Sequence, residues 1–309
     1  MNNKSSIARP FRIQLAVDGS EHSMAAVQML SDLPLPPGSC VTILGVLTPG
    51  QPPDEATLQA DMENAEKIFS KNELETESVF LCGHVAKELI EYGRKHRPDL
   101  MVIGAKGLYA TLKILLGGVA HQVVEHARWP VLVMRTPYRG LRRVLLATDG
   151  SQNCRLAAQY LARFPLPEQT EVQMLHVQAV LEETRVFTPG MGLGPIAYLT
   201  PSMPIPADPP FVSNQAEINK QKGRAALAKA KRILETTGRK PRGFIMDGDP
   251  ATQILAHSEY QGIELIVAGS RGLSAIEGWW WGSVSRKLVH YAHSSVLFVR
   301  TNAEDSTPE

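Results

Sequence analysis

The sequence predicts an α/β fold built as two tandem doubly wound, Rossmann-like domains, each with a five-stranded, mostly parallel sheet. Three observations predict it. The chain repeats itself over most of its length, each copy alternates short apolar runs with amphipathic stretches, and turn signals fall after the runs in the same order in both copies. Runs such as Met101-Val102-Ile103 and Leu265-Ile266-Val267-Ala268 are continuous rather than alternating, which suits parallel strands covered on both faces. Helices between such strands make βαβ units, and the crevice at the carboxyl ends of the strands is where a ligand should sit.

The repeat is read directly. Leu15-Ala16-Val17-Asp18-Gly19-Ser20 returns as Leu146-Ala147-Thr148-Asp149-Gly150-Ser151, 131 residues later. The same offset carries Ala25, Ala26, Met29, Leu30 and Leu33 onto Leu156, Ala157, Tyr160, Leu161 and Phe164, both sets at helical spacing. It still holds where Val41–Val46 matches Val172–Val177. Further on the offset is 165: Gly104-Ala105-Lys106-Gly107 matches Gly269-Ser270-Arg271-Gly272, and Pro130–Arg135 matches Ser295–Arg300. The second copy therefore carries an insertion, placed at about residues 178–213 by its Pro- and Gly-rich stretch and expected to form a mobile surface loop. The domains are placed at 9–137 and 141–301.

Each copy reads as strand, helix, strand, long helix, strand, helix, strand, loop, helix, strand. In the second copy the strands are expected at about Arg143–Thr148, Val172–Val177, Arg242–Asp247, Leu265–Ala268 and Val296–Arg300. Between Glu217 and Lys231 the charges flank an apolar stripe of Leu227, Ala230 and Leu234, which predicts a helix with a solvated face. After the fourth strand come Gly269, two residues, Gly272, nine residues, then Gly282-Ser283, with Val284, Leu288, Val289 and Ala292 marking the next helix. Glycines let backbone approach a phosphate, and a helix start offers unpaired N–H groups and positive potential. Ser283 is read as the N-cap of that helix.

Composition excludes several classes of function. Apolar residues make up 43% and charged residues 20% of the 309 residues, and the net charge of +1 provides no field to attract nucleic acid or an anionic membrane. No run reaches the ~18 apolar residues of a membrane span, the start shows no signal-like core, and Cys40, Cys82 and Cys154 are an odd number without pairwise metal spacing. The expectation is a cytoplasmic protein with reduced thiols and no resident metal site. The histidines, including His121, His126, His290 and His293, are expected to be solvated or capping. No catalytic motif is visible, so at most a weak ATPase activity is expected. Of the adjacent Trp279, Trp280 and Trp281, at least one ring is expected to be exposed or at an interface.

These motifs, in this order, resemble the universal stress protein family, whose ATP-binding members carry Gly, two residues, Gly, nine residues, Gly, then Ser or Thr. The resemblance covers about 9–135 and 141–300, and it implies the adenine-nucleotide α-hydrolase-like variant of the fold. By that resemblance Asp149 would bind the ribose region and the main chain of Val177 the adenine, with Ala147 beside them. Gly269, Arg271, Gly272, Gly282, Ser283, Val284 and Ser285 would surround an ATP triphosphate, accompanied by magnesium. The first copy matches with Asp18, Val46, Gly104, Gly107 and Gly117 but has Gly118 at the hydroxyl position, which implies a weaker site. The implied function is a stress-response protein that signals ATP occupancy through conformation or assembly; a nucleotide-free interaction module is the alternative. The two terminal strands should pair with each other as an intramolecular pseudo-dimer, with a homodimer and protein partners left open.

Overall fold

The computed structural model describes residues 9–50, 53–107, 116–178, 210–270 and 282–300, with backbone alone for 210–216. The first half runs β1 (Arg12–Ala16), α1 (Glu21–Asp32), β2 (Cys40–Leu47), α2 (Glu55–Ser70), β3 (Glu75–Cys82), α3 (Val85–His96), β4 (Leu100–Gly104), α4 (Gly118–His126) and β5 (Val131–Met134). The second repeats it as β6 (Arg143–Ala147), α5 (Gln152–Arg163), β7 (Glu171–Gln178), α6 (Pro210–Glu235), β8 (Arg242–Asp247), α7 (Pro250–Gln261), β9 (Leu265–Gly269), α8 (Ser283–Tyr291) and β10 (Ser295–Val299). Every strand expected in the second copy is present within a residue or so of its bounds. Residues 179–209, most of the insertion, lie outside the described residues, and α6 already occupies the insertion's expected last residues.

One continuous ten-stranded sheet, in the order β3-β2-β1-β4-β5-β10-β9-β6-β7-β8, joins the halves. Strands are parallel within each half, and among the described residues the single antiparallel pair is β5 with β10, with Leu132 opposite Leu297. The terminal strands thus pair as the repeat predicted. An exposed apolar edge is an aggregation template, and here each half covers the other's. These strands are buried along their whole length.

Two cores follow, one on each face of the sheet. On one face α1, α2, α5 and α6 pack Leu30, Met62, Phe69, Leu161 and Leu234 onto strand residues such as Ile13, Val102 and Leu297. On the other α3, α4, α7 and α8 pack Leu89, Val123, Ile254 and Leu288 onto Ile103, Ile266 and Phe298. Along α6 the expected stripe faces inward, with Ala230 and Leu234 buried, Leu227 half-buried and Ala226 buried beside them, while Lys222, Arg224, Lys229 and Lys231 are exposed.

Polar contacts tighten the seam between halves. Arg135 and Arg300, 165 residues apart, cross it reciprocally: Arg135 Nη2 donates to the Val289 carbonyl of α8 (2.7 Å), and Arg300 Nη1 to the Ala127 carbonyl just after α4 (2.5 Å). A cation at a helix C-terminus satisfies orphan carbonyls and favours the dipole. On the opposite face Tyr160 donates to the Asp99 carbonyl (2.9 Å).

Candidate functional site

Each half opens its crevice where β1 and β4, or β6 and β9, end beside one another. In the first half the crevice is a cavity of about 410 Å³. All six first-half residues expected at the site, Asp18, Val46, Gly104, Gly107, Gly117 and Gly118, line it. Leu44, Thr48, Val85, Leu89 and Lys106 also line it. No motif marked Leu44, Thr48, Val85 and Leu89, which arrive on β2, its following loop and α3 through packing, whereas Lys106 stands in the glycine loop itself.

The turn after β1 is locked to the glycine loop. The Ser20 N–H (3.1 Å) and hydroxyl (2.6 Å) both donate to Asp18 Oδ1, and the Lys106 carbonyl lies 3.1 Å from the same hydroxyl. Ser20 is also the N-cap of α1, accepting from the Ser23 N–H. Gly107 sits close beside this turn, where a Cβ would lie 2.9 Å from Asp18 Oδ2. In the second half Asp149 Oδ1 accepts from the Ser151 N–H (2.8 Å) and Ser151 caps α5. The serine rather than the aspartate is the cap in both copies, and in the first half Asp18 lines the crevice.

Gly104 and Gly269 serve packing. A Cβ on Gly104 would lie 3.0 Å from the Ser23 nitrogen, and one on Gly269 2.9 Å from the Asn153 carbonyl carbon. Each strand end therefore abuts the helix after the preceding Asp-Gly-Ser turn, and a side chain there would push that helix away.

The expected N-cap at Ser283 is corrected by one residue. Gly282 is the N-cap of α8 and Ser283 its first helical residue, as Gly117 and Gly118 are for α4; neither helix has a side-chain cap. Both helix starts thus keep backbone N–H groups free of side-chain caps, the arrangement that suits an anion. Ser285 is buried, and its hydroxyl donates to the Gly269 carbonyl (3.0 Å), so it orders the strand end. Ala147 and Val177 end β6 and lie near the end of β7, and Val284 packs on the second core. Arg271, Gly272 and Trp279–Trp281 lie outside the described residues.

The Cys154 thiol beside the second turn is not a nucleophile near neutral pH. Burial, then Asp149, pushes the Cys154 thiol up to about 12, where it carries no thiolate near neutrality. Asp61, on α2, has its carboxylate over Gly19; burial and the neighbouring Asp18 raise its pKa. No cluster of three or more metal-ligating side chains occurs among the described residues, and no described helix is long and apolar enough to cross a membrane. His121, whose side chain is 40% exposed, and His290 meet across the seam with ring centroids 5.5 Å apart.

The model of the universal stress protein family matches residues 11–135 and again 140–300. Universal stress protein YxiE of Bacillus subtilis is 30% identical over 158 residues, which is 51% of this chain and 98% of that protein. A universal stress protein of Mycolicibacterium smegmatis is 24% identical and covers 95% of this chain and 98% of its own. The crystal structure of a universal stress protein from Archaeoglobus fulgidus superposes with a TM-score of 0.61 at 20% identity, over 94% of this chain and 98% of that one.

Proposed function

Because this chain belongs to the universal stress protein family, matched in both halves, we propose that it binds ATP in its second half and signals occupancy through conformation or assembly. The observation that carries this reading is the first-half cavity, where a turn aspartate, the glycine loop and an uncapped helix start converge. The second half has Asp149, Gly269 and Gly282 at the ends of the equivalent elements, and adds the Ser283 hydroxyl that the first half lacks.

The cavity volume lies within the ~300–1,000 Å³ usual for small-ligand sites, and open space around Gly118 leaves room at the helix start. A triphosphate brings its own charge-neutralising cation, magnesium, which suits a site without a carboxylate cage. In the second half the N–H groups at the start of α8 and the Ser283 hydroxyl would hold phosphate oxygens. Asp149 would accept from the ribose hydroxyls, and the main chain of Val177 would meet the base. Hydrolysis, if it occurs, is weak, since the described residues supply positioning and no activated nucleophile.

The test is calorimetric titration of ATP into the full chain and into Gly282→Val and Gly117→Val. Both positions have extended backbone, φ −76° and −73°, so valine is conformationally allowed and blocks the approach of phosphate. Loss of tight binding in Gly282→Val alone is expected. Unchanged affinity in a folded Gly282→Val rejects the assignment. The first half lacks the hydroxyl, and this favours for it the second reading, a half that contributes mainly an interaction surface.

A further inference from the structure

The two halves differ in chemistry between the first and second helices of each, α1 and α2 against α5 and α6. In the second half a cavity of about 500 Å³ opens between α5 and α6. Its floor is Ala226, Ala230 and Ile233, and its rim carries Arg155, Lys229 and Arg232. All three cations are exposed, and none makes an ion pair among the described residues.

The internal repeat acts as a control for this place. The residues equivalent to Arg155, Lys229 and Arg232 in the first half are Met24, Asn64 and Lys67, and Gln152 replaces Glu21. Ala226 stands where the first half has Asp61, whose carboxylate covers Gly19. In the second half only the Ala226 Cβ approaches the matching Gly150, at 3.1 Å from a Cβ built there. Between the copies, then, two acids are lost and two cations gained, and the side chain that covered the turn is reduced to a methyl group. Each change acts in the same direction, toward an apolar recess ringed by positive charge.

We propose that the α5–α6 recess of the second half is a binding site for a small amphipathic anion, with its carboxylate held by Arg155, Lys229 and Arg232 and its apolar body on Ala226, Ala230 and Ile233. Guanidinium groups pair with carboxylates through parallel N–H bonds, and a hydrocarbon body leaves water against the small-residue floor. The recess lies on the α5–α6 side of the β6–α5 turn, whose Thr148, Gly150 and Ser151 also line it, and it does not depend on the reading given for the crevice.

Sodium decanoate is the probe, titrated calorimetrically into the full chain, with decanol and ATP as comparators. One decanoate per chain is expected, with decanol at least tenfold weaker and ATP unable to displace the bound anion. Ala226→Asp, which rebuilds the first half's carboxylate, should abolish binding. Arg155→Met, which installs the first half's residue on an exposed position, should weaken it about tenfold, the loss of one charged contact of ~1.4 kcal/mol. Absence of decanoate binding overturns the proposal. Decanol binding as tightly, displacement by ATP, or wild-type affinity in a folded Arg155→Met or Ala226→Asp variant overturns it equally.

Discussion

Gly118 and Gly104 show how glycines of one motif do different work. A Cβ on Gly118 meets nothing within 4 Å, so Gly118→Ser adds the missing hydroxyl at the first residue of α4 without strain. We expect first-half affinity for ATP to rise about tenfold, the value of one good hydrogen bond to a charged group, as read by calorimetry in a Gly282→Val background. At Gly104 a Cβ would press on the start of α1. Gly104→Ala should cost about 1–3 kcal/mol by overpacking, measured by urea denaturation, whether or not nucleotide is present. A Gly104→Ala variant as stable as wild type would show that the helix start can yield.

At the scale of elements, helix ends are where side chains decide stability. Asp249 caps α7 through Thr252, and Lys287 of α8 reaches the same carboxylate at 3.3 Å. The Thr252 hydroxyl and N–H, helped by Lys287, hold the Asp249 carboxyl below the usual range. The folded state therefore binds this proton less readily than the unfolded chain. The stabilisation is present above pH ~4, the ordinary aspartate value, and is lost as pH falls through the lower folded value. Asp249→Ala should cost about 1 kcal/mol at neutral pH, and the loss should shrink in acid; urea titrations at pH 7 and pH 3 check both. The seam arginines act at the other helix ends. Burial lowers the pKa of Arg135 to about 10, which leaves it charged at neutrality. Arg135→Met, which frees the Val289 carbonyl, should cost about 1–3 kcal/mol.

For the molecule as a whole, the β5–β10 pair joins two repeats in one sheet, and the two are expected to unfold together. Phe298 is 1% exposed and lies opposite Val131 of the other half. Phe298→Ala should cost about 3–5 kcal/mol and lower the melting of both halves in a single calorimetric transition; two separated transitions would show that the seam does not couple them. The seam is also acid-sensitive. Burial first, then His121, Arg135 and Arg286, lowers the pKa of His290, and Glu125 faces His121 from the same helix. The folded state again binds fewer protons than the unfolded one. The contribution of His290 is complete above pH ~6.5 and falls away as pH drops through that value toward the folded pKa. His290→Gln should flatten the melting temperature between pH ~7 and ~5 relative to wild type.

By itself the sequence determined the duplication, the parallel strands and the glycine spacing, because each is a local pattern: apolar runs of four or five residues, helical periodicity, and turns at fixed offsets. Six of the residues it marked in the first half line one cavity, since a βα turn points at its strand end wherever that strand lies in the sheet. The helix start at Gly282 was missed by one residue, because periodicity finds a helix's face more surely than its first turn. Only the tertiary structure decided that Leu89 and Thr48 wall the crevice, that Gly104 and Gly269 are glycines for packing, and that His121 meets His290. The exchange of Asp61 for Ala226 likewise became meaningful once α2 and α6 were seen against Gly19 and Gly150. These facts depend on residues tens to hundreds of positions apart, whose contact is set by how whole helices pack on the sheet, and no local pattern in the chain encodes that packing.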